Sequence, residues 1–107
     1  MKIEVLYVPD CPHRAPAIER VREALSAMNL EVEVHEIAIH DNAAAIRLAF
    51  PGSPTIRVNN RDVEPLPSSE RSVGIQCRLY SNSENFGVPD RESIVRALLN
   101  AVQEEGL

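Results

Sequence analysis

Apolar and polar positions along the chain divide it into short elements. Over residues 2–8, Ile3, Val5 and Tyr7 fall on one face and Leu6 and Val8 on the other. An extended run that is apolar on both faces predicts a central strand covered on both sides, and Pro9 ends it. Ile18, Val21, Leu25 and Met28 then recur at helical spacing, which predicts a helix over residues 13–28 with Pro16 in its first turn. In Leu30 to Ile39, Leu30, Val32 and Val34 alternate with Glu31, Glu33 and His35. A strand with charge on one face suits a sheet edge. Its phase shifts at Ile37 and Ile39, which leaves room for a bulge near Glu36. Asp41 or Asn42 is placed to cap a short helix running to Ala49, with Pro51-Gly52 as its stop.

Thr55-Ile56-Arg57-Val58 reads as a third strand. Asn59-Asn60 tolerates positive φ and predicts a two-residue hairpin turn, with Arg61-Asp62-Val63 beginning the return strand. Residues 64–88 are irregular, with Pro65, Pro67 and several serines, and within them residues 74–80 form a short extended piece. Asp90 caps a last helix whose buried stripe is Ile94, Val95, Leu98, Leu99 and Val102. The order strand, helix, strand, helix, strand, strand, helix favours a parallel first pair with a right-handed crossover, and the hairpin adds an antiparallel edge. The expected fold is α/β, a four-stranded mixed sheet with helices on both faces, and residues 1–107 make one domain with 64–88 as an irregular insertion.

Bulk properties narrow the function classes. A chain of 107 residues is long enough for one core. Its net charge of −5 and scattered basic residues argue against nucleic acid, whose phosphates need clustered Lys and Arg. No apolar run is long enough to span a bilayer, and the start is too short and too charged for a signal peptide, so the expected compartment is the cytoplasm. There the two cysteines are expected as free thiols or a reversible disulfide. No His or Cys pair has zinc-site spacing, so neither metal nor cofactor is expected.

Chemistry concentrates at Cys11, in Val8-Pro9-Asp10-Cys11-Pro12-His13-Arg14. A thiol between a strand and a helix sits at the positive end of the helix dipole, where its thiolate is favoured. His13 and Arg14 add positive charge beside it. Asp10 is a candidate proton acceptor or a helix cap. A buried, inert cysteine is the plain alternative. For Cys77 the alternatives are a thiol that resolves Cys11 across the sheet and a buried cysteine on a short strand. Arg78 and Tyr80 are either ligand contacts or an amphipathic strand end.

The element order, with Cys11-Pro12 after the first strand and Gly52-Ser53-Pro54-Thr55 before the third, resembles the thioredoxin-like fold over roughly residues 1–63 and 90–105. Cys11-Pro12-His13 is similar to the start of the Cys-Pro-His-Cys motif of bacterial disulfide oxidases, with Arg14 where the second cysteine stands. Cys77-Arg78-Leu79-Tyr80 is similar to a Cys-Arg-x-Tyr segment in small bacterial thioredoxin-family proteins, some labelled alkylmercury lyase. The resemblance implies that Pro54 is a cis-proline facing the reactive thiol, and that the Ser53 and Thr55 backbone lies ready to pair with an extended substrate. It implies thiol-disulfide exchange with Cys11 and Cys77 as catalytic thiols, and with His13, Arg14, Ser53, Pro54 and Thr55 in the substrate site. The partners implied are protein or small-molecule thiols and disulfides. Two alternatives stand beside it. One is a binding or adaptor domain that has lost redox function; the other is soft-metal binding by the two thiols.

Overall fold

The computed structural model describes residues 1–66, 72–76, 78, 80 and 87–106. The elements are β1 (Ile3–Tyr7), α1 (Arg14–Ala27), β2 (Val34–Ala38), α2 (Asn42–Arg47), β3 (Thr55–Val58), β4 (Arg61–Asp62) and α3 (Arg91–Glu105). They form an α/β fold around a four-stranded sheet in the order β2-β1-β3-β4. β1 pairs parallel with β2 and antiparallel with β3, and β3 pairs antiparallel with β4. β1 is interior because both of its faces find apolar cover. Ile3 and Val5, with Ile56 and Val58, pack against Ala17, Val21 and Leu25 of α1 and Ile94 and Leu98 of α3. Leu6, on the opposite face, joins Ile39, Phe50 and Ala45 of α2. Helices therefore cover both faces, as the patterning predicts.

Local chemistry accounts for most boundaries. α1 stops where Asn29 turns left-handed at φ 55°, and the Leu30 N–H returns to the Leu25 carbonyl at 2.9 Å. This is a Schellman closure with asparagine in place of glycine. α2 opens with the Asp41 carboxylate accepting the Ala44 N–H at 2.8 Å. The Asn59-Asn60 turn has φ of 52° and 68°, the double left-handed geometry that a tight hairpin requires.

Five expectations need correction. The second strand begins at Val34, not Leu30; Leu30 and Val32 instead pack as non-strand residues against the core. Its register with β1 runs one for one from Ile3↔Val34 to Tyr7↔Ala38, so no bulge interrupts it at Glu36. As an edge strand it tolerates the phase shift, because neither face is sealed. α2 ends at Arg47, two residues early. Ala49 takes φ 50°, and the Phe50 N–H closes on the Ala45 carbonyl at 2.8 Å, so the stop precedes Pro51-Gly52. Asp90 holds the N-cap position of α3, but its carboxylate makes no cap bond. The buried stripe of α3 is Ile94, Leu98 and Ala101; Leu99 is 48% exposed, because it lies one position past the face that meets the sheet. Among the described residues, no helix is long and apolar enough to cross a membrane.

Candidate functional site

The C-terminal end of β1 and the N-terminal end of β3 lie together, since Leu6 pairs with Thr55. Cys11 sits in the turn that leaves β1, and the Ser53-Pro54 bond, which is cis, sits in the loop that enters β3. Val8 joins the two. Its N–H donates to the Ser53 hydroxyl at 3.0 Å, and its carbonyl accepts the Cys11 N–H at 2.9 Å. Cys11 is a free thiol, half-buried. It is not at the helix cap, however. α1 begins at Arg14 and is capped by His13 with no side-chain cap bond, which leaves Cys11 two residues outside the cap. The dipole acts within the first turn, so the thiol lies at the margin of its influence. Asp10, exposed in the same turn, is not the cap either.

His13 and Arg14 do different work from that expected of two cations beside a thiol. The Arg14 guanidinium donates through Nη2 and Nε to one oxygen of Glu36, at 2.7 and 3.2 Å, and lies 4.3 Å from the centre of the Tyr7 ring. The bond to Glu36 holds the guanidinium above its ordinary range. Its positive charge is thus met by a carboxylate on the edge strand. His13 packs flat against Gly87, where a β-carbon would fall 2.4 Å from the ring. Gly87 is what lets the chain entering α3 close against the Cys11 turn.

Ser53, Pro54 and Thr55 are all buried. The Ser53 backbone, expected as an open edge, is occupied. Its N–H donates to the Gln76 carbonyl at 2.8 Å, and its carbonyl accepts the Arg78 N–H at 3.0 Å. Thr55 is likewise committed: its backbone belongs to the β1–β3 pairing, and its hydroxyl donates to the Gly52 carbonyl at 2.6 Å. Gly52 has φ +147°, a conformation L residues rarely adopt, and a β-carbon there would meet the Arg78 β-carbon at 2.9 Å.

The residue that organises this side of the site, and that the sequence left between two readings, is Arg78. It is 4% exposed. Its guanidinium pairs with both Asp62 oxygens, at 2.5 and 3.3 Å, reaches the Thr55 hydroxyl at 3.2 Å, and donates to the Glu64 carbonyl. It also stacks over Tyr80, 4.6 Å from the ring centre. The Tyr80 hydroxyl donates to the Pro54 carbonyl, and burial pushes its phenol well above the ordinary range. Both residues are therefore structural parts of the Pro54 loop. Asp62, on β4, and Arg78, outside any helix or strand, stand sixteen residues apart, so no periodicity announces the pair. The hint available in sequence is an arginine in an otherwise uncharged 72–77 to 79–80 stretch.

Cys77 lies outside the described residues, so the expected meeting of Cys11 and Cys77 rests on sequence alone. No curated protein and no solved structure matches the chain. A family model described as a domain of unknown function, DUF2703, matches residues 15–97, a span that includes the Gly52–Thr55 loop and Arg78 and begins after Cys11. The chain belongs to that family.

Proposed function

We propose that the protein is a thiol-dependent redox protein of the thioredoxin-like type, with Cys11 as its nucleophile. The observation that carries the reading is the double use of Val8, which ties the turn of a half-exposed thiol to the loop holding Pro54. The α/β sheet with parallel and antiparallel neighbours of β1 is compatible with that fold. The Cys11 thiolate attacks one sulfur of a disulfide, forms a mixed disulfide, and expels the other sulfur as a thiolate that takes a proton from solvent. The Cys77 thiolate, or a small external thiol, then attacks the Cys11 sulfur and releases the second half. With Cys77 the protein ends as a disulfide and the substrate as two thiols, a two-electron exchange. Two equivalents of a small thiol restore the dithiol and leave as their own disulfide.

The test is adduct trapping with oxidised glutathione. Cys77→Ser is expected to accumulate a glutathione adduct on Cys11, the unaltered protein to pass on to an internal disulfide, and Cys11→Ser to form no adduct at the turn. Absence of any adduct on Cys11 sinks the reading. One observation favours a second reading, a binding domain without redox function: the position of the missing second thiol is filled by Arg14, tied to Glu36 and Tyr7. On that reading Cys11→Ser leaves partner binding and stability unchanged.

A further inference from the structure

Gly74, Gln76, Arg78 and Tyr80 lie along residues 50–55 in the manner of an added strand. The Gly74 N–H donates to the Phe50 carbonyl at 3.2 Å, and the Gln76 side chain to the Pro51 carbonyl at 2.8 Å. Ser53 exchanges bonds with Gln76 and Arg78, and the Tyr80 hydroxyl reaches the Pro54 carbonyl. Partners rise together in sequence on both sides, so the two segments run in the same direction. Arg78 then pins the arrangement from beneath through Asp62.

We propose that Gln76 and Arg78 are built-in occupants of the strand-pairing groups at Ser53, and that they restrict the substrates of Cys11 to small-molecule disulfides, excluding extended polypeptides. The inference rests on the thiol reading above. Recognition by strand addition needs an unpaired N–H and carbonyl on the receiving edge. At Ser53 both are taken. An incoming peptide must strip off Gln76 and Arg78, which leaves Arg78 and Asp62 without each other in a largely buried place. A small disulfide needs none of those groups. It has only to reach the sulfur of Cys11, whose turn is held through the Val8 carbonyl and is half-open. One of its sulfurs bonds to the Cys11 sulfur, and the other departs with the electron pair and is protonated by water.

The experiment uses the Cys77→Ser protein, whose remaining thiol is Cys11; Cys77→Ala serves equally. Two reagents carry the same leaving group, thionitrobenzoate. One is its mixed disulfide with mercaptoethanol, the other its mixed disulfide with a central cysteine in a strand-length peptide. Each rate is divided by that of free glutathione with the same reagent. The normalised peptide rate is expected to fall about tenfold or more below the small-molecule rate. Tyr80→Phe, which removes the bond to the Pro54 carbonyl and keeps the ring, is expected to raise the peptide rate about threefold and leave the small-molecule rate alone. Equal normalised rates, or a Tyr80→Phe protein with an unchanged peptide rate, overturn the inference while Cys11 still reacts. No reaction with either reagent overturns the thiol reading and the inference together.

Discussion

The Cys11 turn on one side and Gln76, Arg78 and Tyr80 on the other all attach to the loop around Pro54, yet the two sides are held by different means. On the Arg78 side, a buried guanidinium serves Asp62, Thr55 and Glu64 at once, and a buried tyrosine closes on the Pro54 carbonyl. On the thiol side, Pro9, Asp10 and Pro12 are exposed, and the turn hangs on a backbone bond to Val8 and a longer one, 3.4 Å, from Arg14 to the Cys11 carbonyl. Arg14 and Glu36 pair at the surface, where their side chains are 43% and 31% exposed. A buried polar network fixes geometry because each unpaired member would be costly. A turn held by few bonds keeps its sulfur reachable. The contrast separates rigidity from access, which on the proposed reading is how the thiol is presented on a loop by a rigid support.

The strongest way to break this comparison is to remove Arg78. Arg78→Ala leaves Asp62 with no partner for its charge and is expected to cost about 3–5 kcal/mol, lowering Tm by on the order of 10 °C or more. Arg78→Lys keeps the charge but not the fork that spans both Asp62 oxygens, so its loss falls between that of Ala and none. Denaturant unfolding measures both. A cost below about 1 kcal/mol for Arg78→Ala is the range of a surface pair and would erase the difference between the two sides. Gly52→Ala comes next. It forces a residue with a β-carbon into φ +147° and against the Arg78 β-carbon, at an expected cost of about 1–3 kcal/mol.

The two regions also differ in how far sequence could read them. Strand β3, the Asn59-Asn60 turn and the Asp41 cap are legible because their causes are local: alternation, tolerance of positive φ, and a carboxylate three residues before the N–H it accepts. The Cys11 turn was visible for the same reason, as a proline-flanked thiol between a strand and a helix. Its exact place was not, because whether Cys11 or His13 caps the helix turns on backbone geometry that Pro12 permits either way. The clamp on the other side joins Arg78 to residues sixteen and twenty-three positions earlier. Through-space pairing of that kind leaves no spacing to read, and the commitment of the Ser53 backbone to Gln76 and Arg78 was hidden for the same reason. Periodicity extends the α3 stripe too far, to Leu99, because it locates a face and not its width.

Tyr80 offers a graded probe of the buried side. Its pKa in the folded protein stands above that of an unfolded tyrosine, about 10. The folded state therefore binds the phenolic proton more tightly, and the stability this contributes is complete below the unfolded value and is lost as pH rises past it. In a Tyr7→Phe background, absorbance of the single remaining phenol is expected to change only together with unfolding. A Tyr80 that ionises near pH 10 in a still-folded protein would mean that water reaches this side as freely as it reaches the thiol.

The smallest expected effect tests the open side. Exposed pairs contribute about 0–1 kcal/mol, so a double-mutant cycle on Arg14 and Glu36 should return a coupling in that range, with a comparable loss from the Tyr7 stacking when Arg14 becomes Ala. The kinetic consequence is more telling than the stability. While Glu36 neutralises Arg14, the guanidinium does little to draw an anionic disulfide toward the turn. Glu36→Gln releases that charge without removing it. The rate at which oxidised glutathione modifies Cys11 should then rise about two- to fivefold at low ionic strength, and the gain should vanish in high salt, where charges beyond a few ångströms are screened. An unchanged rate at low salt would place Arg14 outside the approach to the sulfur. It would then be only a fastening between α1 and the edge strand, and the thiol side would be less open to charge control than its exposed residues imply.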